Sequence, residues 1–152
     1  MGDAHPETER VGTKGRGASI IPVNSSGEVL LFLRDNNRAI PYPDCWDLLG
    51  GTVEPNETPR ECILRELLEE VEIALDSPKL FDVYDMEDRL EFTFWKQVDF
   101  DARTLKLNEG QRLRWFSEGE IEALPSNAIA FNFRSVILDF FRKRPWRTPD
   151  SC

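Results

Sequence analysis

The chain has 152 residues, 40% of them hydrophobic and 31% charged, and this balance predicts one folded domain with its own core. The formal net charge of -9 argues against binding of duplex DNA or of a membrane surface, since both require cationic patches. The single histidine, His5, argues against a histidine metal site or a Ser-His-Asp triad, so we expect carboxylates to carry the chemistry.

Cysteine usage and the lack of long apolar segments indicate the compartment. Cys45, Cys62 and Cys152 are odd in number and show no C-x-x-C spacing, which argues against a disulfide framework and a zinc site. We found no apolar run of about 18 residues, at the start of the chain or further along it. We therefore expect a soluble protein of the cytoplasm. The organisation that we predict is a flexible N-terminus over 1–15, one domain over 16–146 and a tail over 147–152.

The first predicted elements begin a sheet. Apolar runs at 18–23 and 28–33 flank the turn sequence Asn-Ser-Ser-Gly, and we interpret them as two strands. Segment 34–46 is rich in Asn, Asp and Pro and is predicted to be a loop. A short element should follow over 46–51.

An acidic helix comes next. Thr58, Pro59 and Glu61 form a start signal, because threonine can cap the helix, proline suits its first position and glutamate completes a capping box. At helical spacing the chain then has two separate arcs. The apolar arc consists of Ile63, Leu64, Leu67, Leu68 and Val71, and the acidic arc consists of Glu66, Glu69 and Glu70.

Two interpretations of the acidic arc compete. It can be a solvated helix face, with Arg60 and Arg65 as partners at helical spacing. Alternatively, the repulsion between neighbouring carboxylates can be offset by a divalent cation such as Mg²⁺, which prefers oxygen ligands.

Strands and two helices are predicted for the rest of the chain. The aromatic and β-branched runs 80–86 and 90–98 predict paired strands, and 112–116 predicts a further short strand. Ser117 and Glu120 have capping-box spacing, which predicts a short helix. Apolar residues at helical period predict a last helix over 128–144, and Pro145 follows it.

The acidic helix and the turn before it resemble the signature of the Nudix hydrolase family, G-x5-E-x7-R-E-U-x-E-E-x-G-U, where U is aliphatic. The matching residues are Gly51, Glu57, Arg65, Glu66, Leu67, Glu69, Glu70 and Ile73. One defining position differs, because Glu72 stands where the family has glycine. A non-glycine residue at this left-handed helix exit either costs about 1 kcal/mol or forces another geometry, and the helix could also run longer.

The resemblance implies a fold, a reaction and a cofactor. The fold is an α/β class, an α/β/α sandwich around a mixed β-sheet, and the reaction is hydrolysis of a diphosphate linkage with Mg²⁺ or Mn²⁺. The implied metal ligands are Glu66, Glu69, Glu70 and the carbonyl of Gly51. Arg65 joins these glutamates in the catalytic set and pairs with Glu57 as a support for the loop before the helix.

Three residues outside the signature are further candidates. Glu109, in Asn-Glu-Gly-Gln, resembles a position that supplies a metal ligand or general base in relatives, although a glutamate in a polar turn would look the same. Arg34 matches a position where relatives place a cation on substrate phosphate, or else is a surface arginine at a strand end. Asn127 matches a position that can read a base, although Ser126 or Asn127 could instead cap the last helix.

The resemblance leaves the substrate open. We expect a small-molecule nucleoside polyphosphate, most simply a nucleoside triphosphate, oxidised or not, that is cut to monophosphate and pyrophosphate. ADP-ribose, a nucleotide sugar or a dinucleoside polyphosphate is the alternative substrate, and a non-catalytic nucleotide sensor or a plain acidic domain are rivals of other classes. The oligomeric state is open as well, a homodimer included.

Overall fold

The computed structural model describes residues 14–147, and within them a mixed sheet lies between one helix on one face and two helices on the other. The strands are β1 Gly15–Val23, β2 Val29–Leu33, β3 Trp46–Asp47, β4 Leu49–Thr52, β5 Lys79–Asp85, β6 Arg89–Gln97 and β7 Arg112–Phe116. The helices are α1 Pro59–Val71, α2 Glu118–Ala123 and α3 Phe133–Lys143, followed by a 3-10 turn at Pro145–Arg147.

The sheet is mixed because its two longest strands run parallel to each other. β1 pairs with β6 in parallel over nine residues, from Gly15 opposite Arg89 to Val23 opposite Gln97. The other pairs are antiparallel: β1 with β2 and β4, β2 with β3 and β7, and β5 with β6. β1 thus holds the centre of the sheet, with β4 at its N-terminal half.

Side chains alternate between the two faces of the sheet, so each face has its own core. In β1, Ala18 and Ile20 pack with α1, whereas Ile21 and Val23 pack with α2 and α3. The helices therefore cover both faces, and the predicted α/β/α sandwich is confirmed. This arrangement places the acidic helix directly on the central strand.

Most predicted elements are present, and two details of the helices are corrected. The last helix begins at Phe133 rather than near Ala128, because the backbone of Ala128 and Ala130 is used to bond Trp46 instead. Asn132 holds its N-cap position, so neither Ser126 nor Asn127 caps it. On α1, Leu68 was placed on the apolar arc, but it is 53% exposed, because the sheet contacts a narrower stripe of this helix.

Strand β1 begins at Gly15, one residue before the predicted domain start, while the rest of the predicted N-terminal segment lies outside the described residues. The same applies to the predicted tail, except for Arg147, which ends the 3-10 turn. From Lys14 to Arg147, none of the helices has both the length and the apolar character needed to cross a membrane.

Candidate active site

Helix α1 fixes the orientation of the acidic residues from its first turn. Thr58 accepts a hydrogen bond from the backbone N–H of Glu61, and the Glu61 side chain accepts one from the N–H of Thr58, so the predicted capping box is present. Cys62, Ile63, Leu67 and Val71 bury one face against the sheet. Glu66 and Glu70 are thereby held beside Gly51 and Gly50 of β4, whereas the Glu69 side chain is largely exposed.

Gly51 of β4 lies directly against Glu66 of α1. A methyl group at Gly51 would stand 2.2 Å from Oε2 of Glu66, a contact that would force one of them to move. The neighbouring Gly50 N–H donates to Oε1 of Glu70 at 3.3 Å. The two glycines therefore let the sheet approach two glutamates of the helix, and the predicted backbone ligand stands beside the predicted carboxylate ligands.

Three glutamates meet at one cavity of about 300 Å³ next to these glycines: Glu66, Glu70 and Glu109. The cavity is also lined by Gly50 and Gly51, so the structure brings the residue outside the signature together with the helix. Glu69 does not line it. The Glu69 side chain is 58% exposed and lies 3.3 Å from Nη1 of Arg65.

The donor set fits a hard divalent cation, since carboxylates and a backbone carbonyl are the ligands that Mg²⁺ and Mn²⁺ prefer. Within residues 14–147, however, no three acidic, cysteine or histidine side chains already stand close enough to enclose a metal ion. A cation at this cavity would therefore require the carboxylates of Glu66, Glu70 and Glu109 to turn toward it.

Mutual repulsion and burial determine the protonation of this cluster. Glu70 is only 7% exposed, and burial, together with the charges of Glu66 and Glu109, raises its pKa to about 9. Burial also raises the pKa of Glu66, although Arg65 opposes the shift. Without a cation, the Glu70 carboxyl holds its proton and shares a hydrogen bond with Glu66. Cation binding is therefore expected to release a proton.

This arrangement predicts how stability depends on pH when metal is removed. Between the ordinary pKa of 4.5 and the folded value of about 9, the folded protein binds more protons at Glu70 than the unfolded chain does. In chelator, the free energy of unfolding should therefore fall as pH rises through this window. We expect the Tm at about pH 9 to lie at least about 3 °C below that at about pH 6, which corresponds to about 1 kcal/mol.

Thermal unfolding in chelator and in saturating Mg²⁺ tests this expectation. Burial also raises the pKa of Glu66, of Glu91 and, to about 6, of Asp47, so the contribution of Glu70 is read from the difference between the wild-type protein and Glu70→Gln. Glu70→Gln should flatten the chelator curve, and Mg²⁺ should flatten that of the wild-type protein. A wild-type Tm in chelator that stays constant or rises would contradict the assigned protonation.

Arg65 links the acidic helix to the turn before it. Its Nε donates to Oε2 of Glu57 at 2.6 Å and its Nη2 donates to Oε1 at 3.0 Å, a two-point contact. These hydrogen bonds lower the pKa of Glu57 to about 2. Arg65 also donates to the carbonyl of Thr52 at 3.3 Å and to Glu66 at 3.1 Å. This geometry agrees with the supporting role that the resemblance implies for Glu57 and Arg65.

The segment that carries Glu109 is fixed on both sides. Before it, the Asn108 N–H donates to the carbonyl of Glu70 at 2.8 Å. After it, the Gln111 N–H donates to the carbonyl of Leu33 at 2.7 Å. Gly110, with φ of +94°, lies where a methyl group would stand 2.7 Å from the ring of Phe32. Glu109 is therefore held at the mouth of the cavity.

Arg34 stands at the boundary between two cavities rather than at an open strand end. Its Nη1 donates to Oδ2 of Asp47 at 2.8 Å and its Nε donates to the carbonyl of Pro41 at 3.0 Å. It lines the glutamate cavity and also a second cavity of about 260 Å³. A cation in this place can contact a phosphate that reaches from one cavity to the other.

The second cavity is lined by residues that the sequence analysis missed. Phe131 forms one wall, with the guanidinium of Arg89 5.0 Å above its ring and the ring of Tyr42 4.5 Å away. On the inner side, Glu91 is 3% exposed and accepts from Nε of Arg89 at 2.6 Å. The sequence contains one signal for this second cavity, because Glu91 is a charged residue inside an apolar strand. A buried charge requires a partner.

Asn127 lies apart from both of these cavities. The structure places it in an exposed turn, where the Ala128 N–H donates to the carbonyl of Pro125 at 3.0 Å and the Asn127 carbonyl faces the thiol of Cys45 at 3.5 Å. Asn127 lines neither the glutamate cavity nor the second cavity.

The chain is similar in sequence and in fold to proteins of one known family. The family model described as NUDIX domain matches residues 13–136. The chain is 29% identical over 122 residues to the ADP-ribose pyrophosphatase of Methanocaldococcus jannaschii, a match that covers 79% of this chain and 69% of that protein. It is 39% identical over 66 residues to the dihydroneopterin triphosphate diphosphatase of Haemophilus influenzae, covering 39% of this chain and 42% of that protein. This chain thus spans less than half the length of that diphosphatase.

A solved structure, the NUDIX hydrolase from Nitrosomonas europaea, superposes with a TM-score of 0.69 at 28% identity, covering 88% of this chain and 73% of that chain. Of the two relatives, one is named as a diphosphatase and the other as a pyrophosphatase. The chain belongs to the Nudix family, since the family model matches more than half of it. The predicted family and the predicted fold class are both confirmed.

Proposed function

We propose that this protein hydrolyses the diphosphate linkage of a nucleoside polyphosphate with Mg²⁺ or Mn²⁺. The observation that carries the proposal is the meeting of Glu66, Glu70 and Glu109 at one cavity whose rim also holds Arg34. Carboxylates to hold a cation and an arginine to contact phosphate are the two parts that phosphoryl chemistry needs.

Each residue has a distinct task in this proposal. Glu66 and Glu70 hold the cation from the rigid helix, together with the carbonyl of Gly51. A bound Mg²⁺ or Mn²⁺ supplies charge neutralisation for the diphosphate and lowers the pKa of water. Glu109, at the exposed mouth, accepts the proton of the attacking water, and Arg34 contacts the phosphate that passes between the cavities. Glu69 remains a candidate ligand that would have to turn away from Arg65.

A nucleoside triphosphate is the substrate that we favour. The second cavity adjoins the glutamate cavity and has an aromatic wall at Phe131, so a planar base can stack there while its phosphates reach the glutamates. One relative is named as a triphosphate diphosphatase, which agrees with this choice. The alternative is ADP-ribose or another substituted diphosphate, which agrees with the name of the second relative.

Isotope labelling tests the reaction itself. In water enriched in ¹⁸O, we expect label in a phosphate product, because a water oxygen attacks phosphorus. Label in the monophosphate would show that water attacks the phosphorus next to the nucleoside. Label in the pyrophosphate would show that it attacks the second phosphorus. The measurement is mass spectrometry of the products from a panel of nucleoside triphosphates, ADP-ribose, a nucleotide sugar and a dinucleoside polyphosphate.

Parallel reactions in chelator serve as the control and should show no turnover. Full turnover in chelator would contradict the role of the cation, and label on a sugar or base carbon would exclude attack at phosphorus. Nucleotide binding without any product would instead indicate a sensor.

A pair of variants tests where the base binds. Phe131→Ala removes the aromatic wall and should raise KM about tenfold with kcat little changed, because stacking of one base contributes about 1–3 kcal/mol. Asn127→Ala should leave both constants unchanged, since this side chain is exposed and lines neither cavity. Steady-state kinetics of both variants, with the substrate that the wild-type protein hydrolyses fastest, decides which side chain contacts the base. If KM rises for Asn127→Ala and not for Phe131→Ala, the base contacts Asn127, as the resemblance implies.

A further inference from the structure

Glu72 ends helix α1 in a conformation that glutamate rarely adopts. Its φ of 57° and ψ of 38° lie in the left-handed region, and its N–H donates to the carbonyls of Leu67 and Leu68. The helix therefore stops where a Nudix glycine would stop it, although the residue is not glycine. A left-handed glutamate is strained relative to glycine, and such strain persists only where the surroundings hold it.

The Glu72 side chain holds the end of the helix against the segment before Glu109. Its Oε2 accepts a hydrogen bond from Nδ2 of Asn108 at 3.0 Å and lies 3.3 Å from Nζ of Lys106. The contact is one that glycine could not make.

Asn108 uses all of its donors at this helix end. Nδ2 donates to the carbonyl of Glu69 at 2.8 Å as well as to Glu72, and the backbone N–H donates to the carbonyl of Glu70. The last helical carbonyls, which lack partners within a helix, are thereby satisfied by the residue directly before Glu109. The acceptor at Glu72 fixes the rotation of the Asn108 amide and with it the course of the segment.

We propose that Glu72 is a positioning residue for Glu109, acting through Asn108. This inference rests on the proposed function, in which Glu109 accepts the proton of the attacking water. Glu72 is not among the residues that line the two cavities. It therefore acts only through the segment that carries Glu109. Its removal should change the rate of the chemical step more than the binding of substrate.

The test compares Glu72→Gly with a matched variant at the other left-handed helix end. Arg144 caps α3 with φ of 48°, donates its N–H to the carbonyl of Phe140 at 2.8 Å and lies 3.4 Å from Glu118. Arg144→Gly thus relieves the same kind of strain and removes one ion pair far from the site. We expect both variants to keep or raise Tm, but only Glu72→Gly to lower kcat, by about tenfold, with KM changed less than about twofold.

Two further measurements separate positioning from general stability. Glu72→Gln keeps an acceptor for Asn108 and should retain most of the wild-type kcat. In amide exchange followed by NMR, Glu72→Gly should speed exchange of the Asn108 N–H about tenfold and leave that of Gln111, which is bonded to Leu33, unchanged.

The proposal is overturned if Glu72→Gly keeps wild-type kcat and wild-type exchange at Asn108, or if Arg144→Gly loses as much kcat. It is also overturned if Glu72→Gln is as impaired as Glu72→Gly. Absence of hydrolysis in the wild-type protein would refute the proposed function instead. In that case the exchange comparison alone would decide whether Glu72 positions the segment.

Discussion

Glu70→Gln is expected to lower metal-dependent kcat by at least about 10³-fold while leaving the fold intact, because a cation contributes several kcal/mol of charge stabilisation to such a reaction. Glu70 is the most buried of the three glutamates at the cavity and accepts from the Gly50 N–H. Glutamine keeps the size and one acceptor oxygen, so packing should be retained. What it loses is the negative charge that, in the proposed site, holds the cation.

The same substitution should stabilise the protein in chelator at alkaline pH, since the charge that it removes is repelled by Glu66 and Glu109. Loss of activity together with gain of stability would distinguish a functional charge from a structural one. The measurements are kcat at saturating Mn²⁺, Mn²⁺ affinity by paramagnetic resonance, and Tm in chelator at about pH 9. Glu122→Gln, an exposed glutamate of α2, is the control and should change none of them.

A Glu70→Gln protein that turns over at more than about a tenth of the wild-type rate would remove Glu70 from the proposed metal site. A lower Tm in chelator at high pH would show that its ionised carboxylate is favourable in the fold, contrary to the cause that we assign to its raised pKa.

Glu109→Gln and Glu66→Gln are expected to fail in different ways. Glu109→Gln should lower kcat by about 10² to 10⁴ with Mn²⁺ affinity close to that of the wild type, because loss of a general base does not remove the cation. Glu66→Gln should weaken Mn²⁺ affinity as well as turnover. The structural reason is that Glu66 belongs to the rigid helix and lies against Gly51 of β4. Glu109 stands exposed at the mouth of the cavity.

Side-by-side measurement of kcat and Mn²⁺ affinity for both variants tests this assignment. Near wild-type turnover of Glu109→Gln at saturating metal would make the Asn-Glu-Gly-Gln match an ordinary polar turn, and Glu66 would then be the base. Weaker Mn²⁺ binding in both variants would make Glu109 a ligand. A pH–rate profile adds a second readout, since removal of the base should abolish its acidic limb.

Local chemistry allowed some of this structure to be predicted correctly. The start of α1 depends on Thr58, Pro59 and Glu61, which lie within four residues. Thr58 and Glu61 bond each other and Pro59 takes the first helical position, so no distant contact was needed. The strands and the short helix at Ser117 follow from period and capping in the same way. The spacing of the signature likewise determined which glutamates share the helix, because helical geometry converts sequence offsets into directions.

Elsewhere the local pattern was overridden. The helical period of the last helix runs back to Ile129, yet the chain there forms a bridge with Trp46 and Phe131 takes a φ of 56°. Helical period predicted Ile129 to be buried as part of a helix. It is buried instead because it forms a bridge with Trp46 of β3, more than 80 residues earlier. The start of this helix was therefore predicted five residues too early.

The sequence by itself thus determined the family, the sheet-and-helix order and the helix that carries Glu66 and Glu70, all of which depend on spacing along the chain. Only the tertiary structure decided that Glu109 reaches the same cavity, that Arg34 pairs with Asp47, and that Glu72 bonds Asn108. Those contacts join residues 13 to 43 positions apart on separate elements. Their geometry depends on how the sheet brings loop and helix together, and no local spacing encodes that.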